Sequence, residues 1–264
     1  MSPAATRFRW LRARRGGAST GFILVGLLMV GGMIGLVVRD ECQPKPPGAW
    51  ASPFVVHERY PIRAETVPHD TPTIAFMGDS VTAGYGAGED GGIGEGYAHD
   101  VARWFEWPSD NTAVVATGYT RGNGADGPFL DQIAEVVRFR PDVVVVEGGS
   151  NDIGSTSEEI QEDASDVFIA LKTALPDALI IAFLDTNSPI EPVEEMDRIR
   201  AAVRAAAEER GIMVVDPSDW LDLDNEFADD GRHPNSEGHQ VLCDKLAPLI
   251  EAAYEARFGK PART

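Results

Sequence analysis

The sequence predicts an α/β domain, a mostly parallel five-stranded sheet with helices on both faces, preceded by a single membrane-spanning helix. Three observations carry this reading. From residue 73 onward, five short apolar runs alternate with amphipathic stretches of helical length. The runs are continuously apolar, without the in-out alternation of a sheet that has one face in water. An uncharged run of 18 residues, Gly21 to Val38, stands apart from them near the amino terminus. No repeat or second globular domain interrupts the alternation.

Residues 1–20 are basic and small, and read as a disordered cytoplasmic segment. The run at 21–38 would cover roughly 27 Å as a helix, close to the thickness of a bilayer's hydrocarbon layer. Arg39-Asp40-Glu41-Cys42 follows it and offers no small-residue cleavage site. Arginines before the run and acids after it place the amino end inside. The expectation is therefore an uncleaved signal anchor with the folded domain extracytoplasmic, secretion after cleavage being the alternative. Residues 39–71 form a proline-rich linker, with seven prolines between 43 and 72.

The domain spans 72–258, with a tail at 259–264. Its first strand is Thr73 to Met77, ended by Gly78. Gly84 to Gly96 is glycine-rich; lacking a Gly-Lys-Ser/Thr sequence, it reads as a flexible cleft rim and not a phosphate cradle. Tyr97 to Trp107 is a helix by the spacing of Val101, Trp104 and Phe105. Thr112 to Ala116 is a strand, Phe129 to Phe139 a helix, and Asp142 to Glu147 the most apolar strand. A helix at Glu158–Ala174, a strand at Ala178–Leu184 and a helix at Val193–Arg210 follow. Ile212 to Val215 is the last strand, and Asn235 to Phe258 a terminal helix.

The net charge of −19 is unevenly spread. Residues 1–39 hold six arginines and no acid, leaving the remainder with all 42 acids against 17 bases. Such a surface repels phosphate backbones, which argues against a nucleic-acid partner. Only Cys42 and Cys243 are present, too few for a zinc cluster or a disulfide scaffold. The two either pair in an oxidising compartment or stay as separate thiols.

Chemistry-bearing residues collect where ligands bind in open α/β sheets, after the carboxyl ends of strands. Ser80 follows the first strand, and Gly118 to Gly124 the second. Gly149-Ser150-Asn151-Asp152 follows the third, and Asp230 and His233 the last. A serine needs a base and an oxyanion site to act as a nucleophile. Asp230 lies three residues before His233, close enough to hold one imidazole nitrogen while the other takes the Ser80 proton. Asp79 reads as a brace of its own loop, Asp152 as a turn residue, and His239 as a packed or solvated helix residue.

Gly78-Asp79-Ser80, the glycine-bearing second loop, Gly149-Ser150-Asn151-Asp152 and Asp230-Gly231-Arg232-His233-Pro234 together resemble the four blocks of the SGNH hydrolases, the GDSL-type esterases and lipases. The resemblance spans about 72–256. It implies a flavodoxin-like three-layer α/β/α fold and a carboxylic ester hydrolase with no metal or organic cofactor. It also implies that Ser80 is the nucleophile, His233 the base and Asp230 its partner. The Ser80 N–H, a glycine N–H and the Asn151 side chain would form the oxyanion hole. Ala116 stands where the family commonly has asparagine, so either Gly122 or Gly118 is the glycine, with Gly122 preferred. The expected substrate is a small-molecule, carbohydrate or lipid ester, with short acyl chains favoured. The alternatives are a lipase or lysophospholipase activity, or a non-catalytic envelope-binding domain.

Overall fold

A computed structural model describes residues 71–263. The expected anchor at 21–38, the basic segment before it, nearly all of the linker and Cys42 lie outside the described residues. No helix among the described residues is long and apolar enough to cross a membrane.

Among the described residues ten main elements follow one another: β1 (Ile74–Met77), α1 (Tyr97–Phe105), β2 (Ser109–Asn111), α2 (Phe129–Phe139), β3 (Val143–Gly148), α3 (Ser157–Ala174), β4 (Leu179–Leu184), α4 (Val193–Glu209), β5 (Met213–Val215) and α5 (Ser236–Phe258). Short 3-10 turns occupy Glu89–Gly91 and Ser150–Asp152. The strands form one sheet in the order β2-β1-β3-β4-β5, every pair parallel. This is the doubly wound order whose reversal point lies between β1 and β3.

Alternate residues of the central strands feed opposite cores. Ala75, Met77, Val144, Val146, Ile180 and Ala182 pack under α2, α3 and α4. Ile74, Phe76, Val143, Val145, Ile181 and Phe183 pack under α1 and α5. Both faces are dry, so the strands must be apolar at every position, as their sequences are. Thr156 and Glu159 form a reciprocal capping box that starts α3. Asn235 caps α5 by accepting from the Gly238 N–H.

The expected second strand differs. The paired segment is Ser109–Asn111, and Thr112 to Ala116 lies beyond it. Thr112 and Val114 still donate backbone hydrogen bonds to Phe76 and Gly78, so the run continues along β1 irregularly. It is an edge, and Ala116 at φ 61° breaks the extended path. The residues expected as a tail fold back on the domain: Ala262 is buried, and its carbonyl accepts from the Trp107 indole at 3.0 Å. Cys243 is buried in α5, and burial pushes its thiol up to about 12. Trp220 is half-buried and packs against the core beside Phe183.

Candidate active site

The Ser80 turn begins where β1 runs out. Asp79 accepts the Val81 N–H at 3.0 Å through its own side chain, closing a local turn that presents Ser80. Ser80 itself is 7% exposed. The loop before α5 brings the partner: Ala228 N–H donates to the His233 carbonyl, and Phe227 bridges Pro234 in antiparallel fashion. His233 Nε2 lies 2.9 Å from Ser80 Oγ, and His233 Nδ1 lies 2.6 Å from Asp230 Oδ2. The other Asp230 oxygen accepts the backbone N–H groups of Arg232 and His233. Burial alone would raise the Asp230 carboxyl, but the His233 ring and these N–H groups prevail and hold it below the usual range. The carboxylate fixes the imidazole tautomer, so that Nε2 is free to accept the serine proton.

The glycine-rich segment is tied into this arrangement. Tyr85 and His233 rings stand 4.4 Å apart, and the Ser236 hydroxyl donates to the Ala87 carbonyl. Gly86, at φ 92°, lets the chain pass so close that a Cβ there would lie 2.1 Å from the Pro234 carbonyl oxygen and 3.2 Å from His233 Cβ. His239 is packed, as expected of a helix residue, and also pins the same loop. One ring nitrogen faces the Tyr85 carbonyl at 3.0 Å and the other accepts the Tyr97 N–H at 3.2 Å. Burial lowers its basicity, in keeping with a neutral ring that donates once and accepts once.

Asn151 reaches the same rim by an unanticipated route. Its amide nitrogen donates to Asp79 Oδ2 and to the Thr117 carbonyl, each at 2.9 Å, tying the first and second loops together. Asp152 is more than a turn residue. It is buried and accepts from the Tyr119 N–H and from the Thr120 N–H and hydroxyl. Gly118 packs its α-carbon on this carboxylate, and its N–H donates to the Arg121 carbonyl. Gly122 is exposed and packs against Asp126 and Gly127 of its own loop. The structure therefore brings Ser80, His233 and Asp230 into direct contact, places Asn151 one bond from the Ser80 turn through Asp79, and leaves Gly122 outside these contacts.

Beneath the rim lies a group that sequence reasoning missed. Asp79, Glu147 and Asp185, at the ends of β1, β3 and β4, are all buried, and one oxygen from each lies within 4.8 Å of the others. Among the described residues this is the one cluster whose carboxylates converge as metal ligands would. The available signal was a glutamate ending an otherwise apolar strand.

The chain matches the model of the GDSL-like lipase/acylhydrolase family over residues 76–241. It is 30% identical over 242 residues to a GDSL lipase of Mycobacterium tuberculosis, covering 87% of this chain and 96% of that one. An acetylxylan esterase of Xylanibacter ruminicola is 23% identical over 221 residues, and the chain spans 44% of its length. Among solved structures, a family two carbohydrate esterase from Clostridium thermocellum, in complex with cellohexaose, superposes with a TM-score of 0.59 at 20% identity, over 72% of this chain and 66% of that one. A family two carbohydrate esterase from Cellvibrio japonicus gives 0.57 at 17% identity, over 72% and 63%. These two likenesses are of fold.

Proposed function

This chain belongs to the GDSL-like lipase/acylhydrolase family and is an esterase of that type, and we propose that Ser80, His233 and Asp230 are its catalytic triad. One observation carries the proposal: the unbroken contact from Asp230 through His233 to Ser80, at 2.6 and 2.9 Å. Ser80 Oγ attacks the ester carbonyl as His233 Nε2 takes its proton. His233 then returns that proton to the leaving alkoxide, releasing the alcohol. Water enters, gives a proton to the same nitrogen and attacks the acyl carbon; the acyl–Oγ bond then breaks, His233 passes that proton to Ser80 Oγ, and the acid departs. Asp230 stays ionised and stabilises the imidazolium in both half-reactions.

The oxyanion formed at each attack takes hydrogen bonds from the Ser80 N–H, from a glycine of the second loop and from Asn151. For Asn151 to donate there, its amide gives up the Thr117 carbonyl. We favour short acyl chains, in particular acetyl groups on envelope carbohydrate. This is supported by relatives named as an acetylxylan esterase and as carbohydrate esterases, and by the acidic surface. The lipase reading is favoured instead by the relative of 30% identity. A chain-length series of nitrophenyl esters beside acetylated xylan separates the two: acetyl preference supports the first, and rising turnover with chain length the second. Full-length Ser80→Ala protein should lose hydrolysis and labelling by a fluorophosphonate probe. Activity equal to the parent's would overturn the triad.

The uncharged run at 21–38 supports an extracytoplasmic domain on a single anchor. Protease digestion of intact cells that spares the domain, with digestion after lysis, would place it inside instead.

A further inference from the structure

The turn that carries the base is almost self-contained. The Gly231 N–H donates to the Ala228 carbonyl, the Arg232 and His233 N–H groups donate to Asp230 Oδ1, and the His233 carbonyl accepts from Ala228. Among the described residues, the hydrogen bonds of residues 230–233 that leave this loop reach two side chains, Ser80 and Glu191. The first is the contact that would react. The second is an ion pair between the Arg232 guanidinium and a carboxylate whose side chain is 4% exposed.

Glu191 stands on a braced loop between β4 and α4. Its Oε2 accepts the Ser188 hydroxyl at 3.1 Å, and its N–H donates back to that hydroxyl at 3.3 Å. Arg200, buried on α4, donates to the Asp185 carbonyl and to the Asn187 side chain. The Asn187 amide in turn donates to the Ser218 carbonyl. Ile190 of the same loop lies over Gly231, where an added Cβ would come within 2.9 Å of Ile190 Cγ2. The loop therefore meets the turn twice, by close packing at Gly231 and by the ion pair at the next residue.

We infer that Glu191 is a positioning residue for the hydrolysis: its buried carboxylate holds Arg232, and through it keeps His233 Nε2 within hydrogen-bond reach of Ser80 Oγ. The inference rests on the triad proposed above. A pair between two exposed side chains would be screened and loosely held. Here one partner is out of water and fixed by Ser188, so the guanidinium that finds it has one position. Without that charge Arg232 turns to solvent, and the loop keeps its internal bonds but loses its hold on the domain beside His233. A base displaced by about 1 Å costs on the order of 10²-fold in rate.

The test is a set of variants of the full chain: Glu191→Gln, Arg232→Met, the two together, and Arg232→Lys, which keeps the charge. Glu135→Gln, which breaks the exposed Glu135–Arg138 pair of α2, is the control and should turn over as the parent does. On nitrophenyl acetate, well below every melting temperature, Glu191→Gln and Arg232→Met should each lose about tenfold or more in kcat, with KM within about threefold of the parent's. The double variant should fall no more than about threefold below the worse single one, because both changes remove one contact. Arg232→Lys should recover much of what Arg232→Met loses. Crystal structures of the parent and Glu191→Gln read the position directly: Nε2 should lie 2.9 Å from Ser80 Oγ in the parent and beyond about 3.5 Å in the variant. Arg232→Met, altered on the solvent side, takes its place in both measurements if Glu191→Gln does not fold. Single variants within about threefold of the parent in kcat, losses that multiply in the double variant, a lysine no better than methionine, or an unmoved His233 each overturn the inference. The crystallographic distance is read without turnover, so it judges Glu191 even if Ser80→Ala proves active.

Discussion

Gly86→Ala tests whether the glycine-rich segment sets the position of His233. The new Cβ would sit 2.1 Å from the Pro234 oxygen, where real Cβ atoms essentially never come within 3.0 Å, so one backbone must move by roughly 1 Å. Its nearest neighbours after the Pro234 carbonyl group include His233 Cβ, and the displacement falls on the imidazole. A misplacement of about 1 Å costs on the order of 10²-fold in rate, or about 2.7 kcal/mol of barrier. The positive φ adds about 1–3 kcal/mol of strain to the folded state. Gly124→Ala is the matched control: its φ is 93°, and nothing lies within 4 Å of the added methyl group. Both variants should melt earlier, but only Gly86→Ala should lose kcat on nitrophenyl acetate, assayed well below its melting temperature. If Gly86→Ala turns over within about threefold of Gly124→Ala, the segment does not hold His233 and the reasoning fails.

Asn151→Ala should lower turnover by roughly 10²–10³, as expected for a lost oxyanion donor; a near-neutral result removes Asn151 from the site and leaves it a loop tie. Asp166 on α3 tests the pH dependence of stability. Burial, with Asp163 and Glu162 adding and Arg210 opposing, pushes its carboxyl from 3.8 to about 6. The folded state keeps a proton that the unfolded chain releases, so this group's contribution is most favourable below 3.8 and is lost as pH rises through about 6. Asp166→Asn should therefore gain roughly 1–3 kcal/mol above about pH 7 and almost nothing near pH 4. Urea melts at the two pH values measure it, and equal gains at both would refute the assignment.

Much of this fold is legible in local sequence because the strands are buried on both faces. Val143–Gly148 and Leu179–Leu184 are found within one residue of their ends, and Phe129–Phe139 at its bounds. The edge strand is where reading by apolar runs fails. Ser109–Asn111 is polar, and the apolar residues after it pack without a regular ladder. Ser80, Asp230 and His233 are legible because each sits in a compact motif after a strand. Gly86 and His239 are not, because their significance lies in contacts made from 142 to 154 residues away. Glu147 is visible as an acid in an apolar run, but its neighbours Asp79 and Asp185 meet it only once the strand order is known.

Ser80 and His233 are 153 positions apart, and the helix that anchors the histidine turn is the last among the described residues. An emerging polypeptide therefore displays the Ser80 hydroxyl long before the His233 imidazole can reach it. On the proposed triad, fragments left by incomplete synthesis or early proteolysis would carry Ser80 without its base, and turnover would report that both ends of the domain have met.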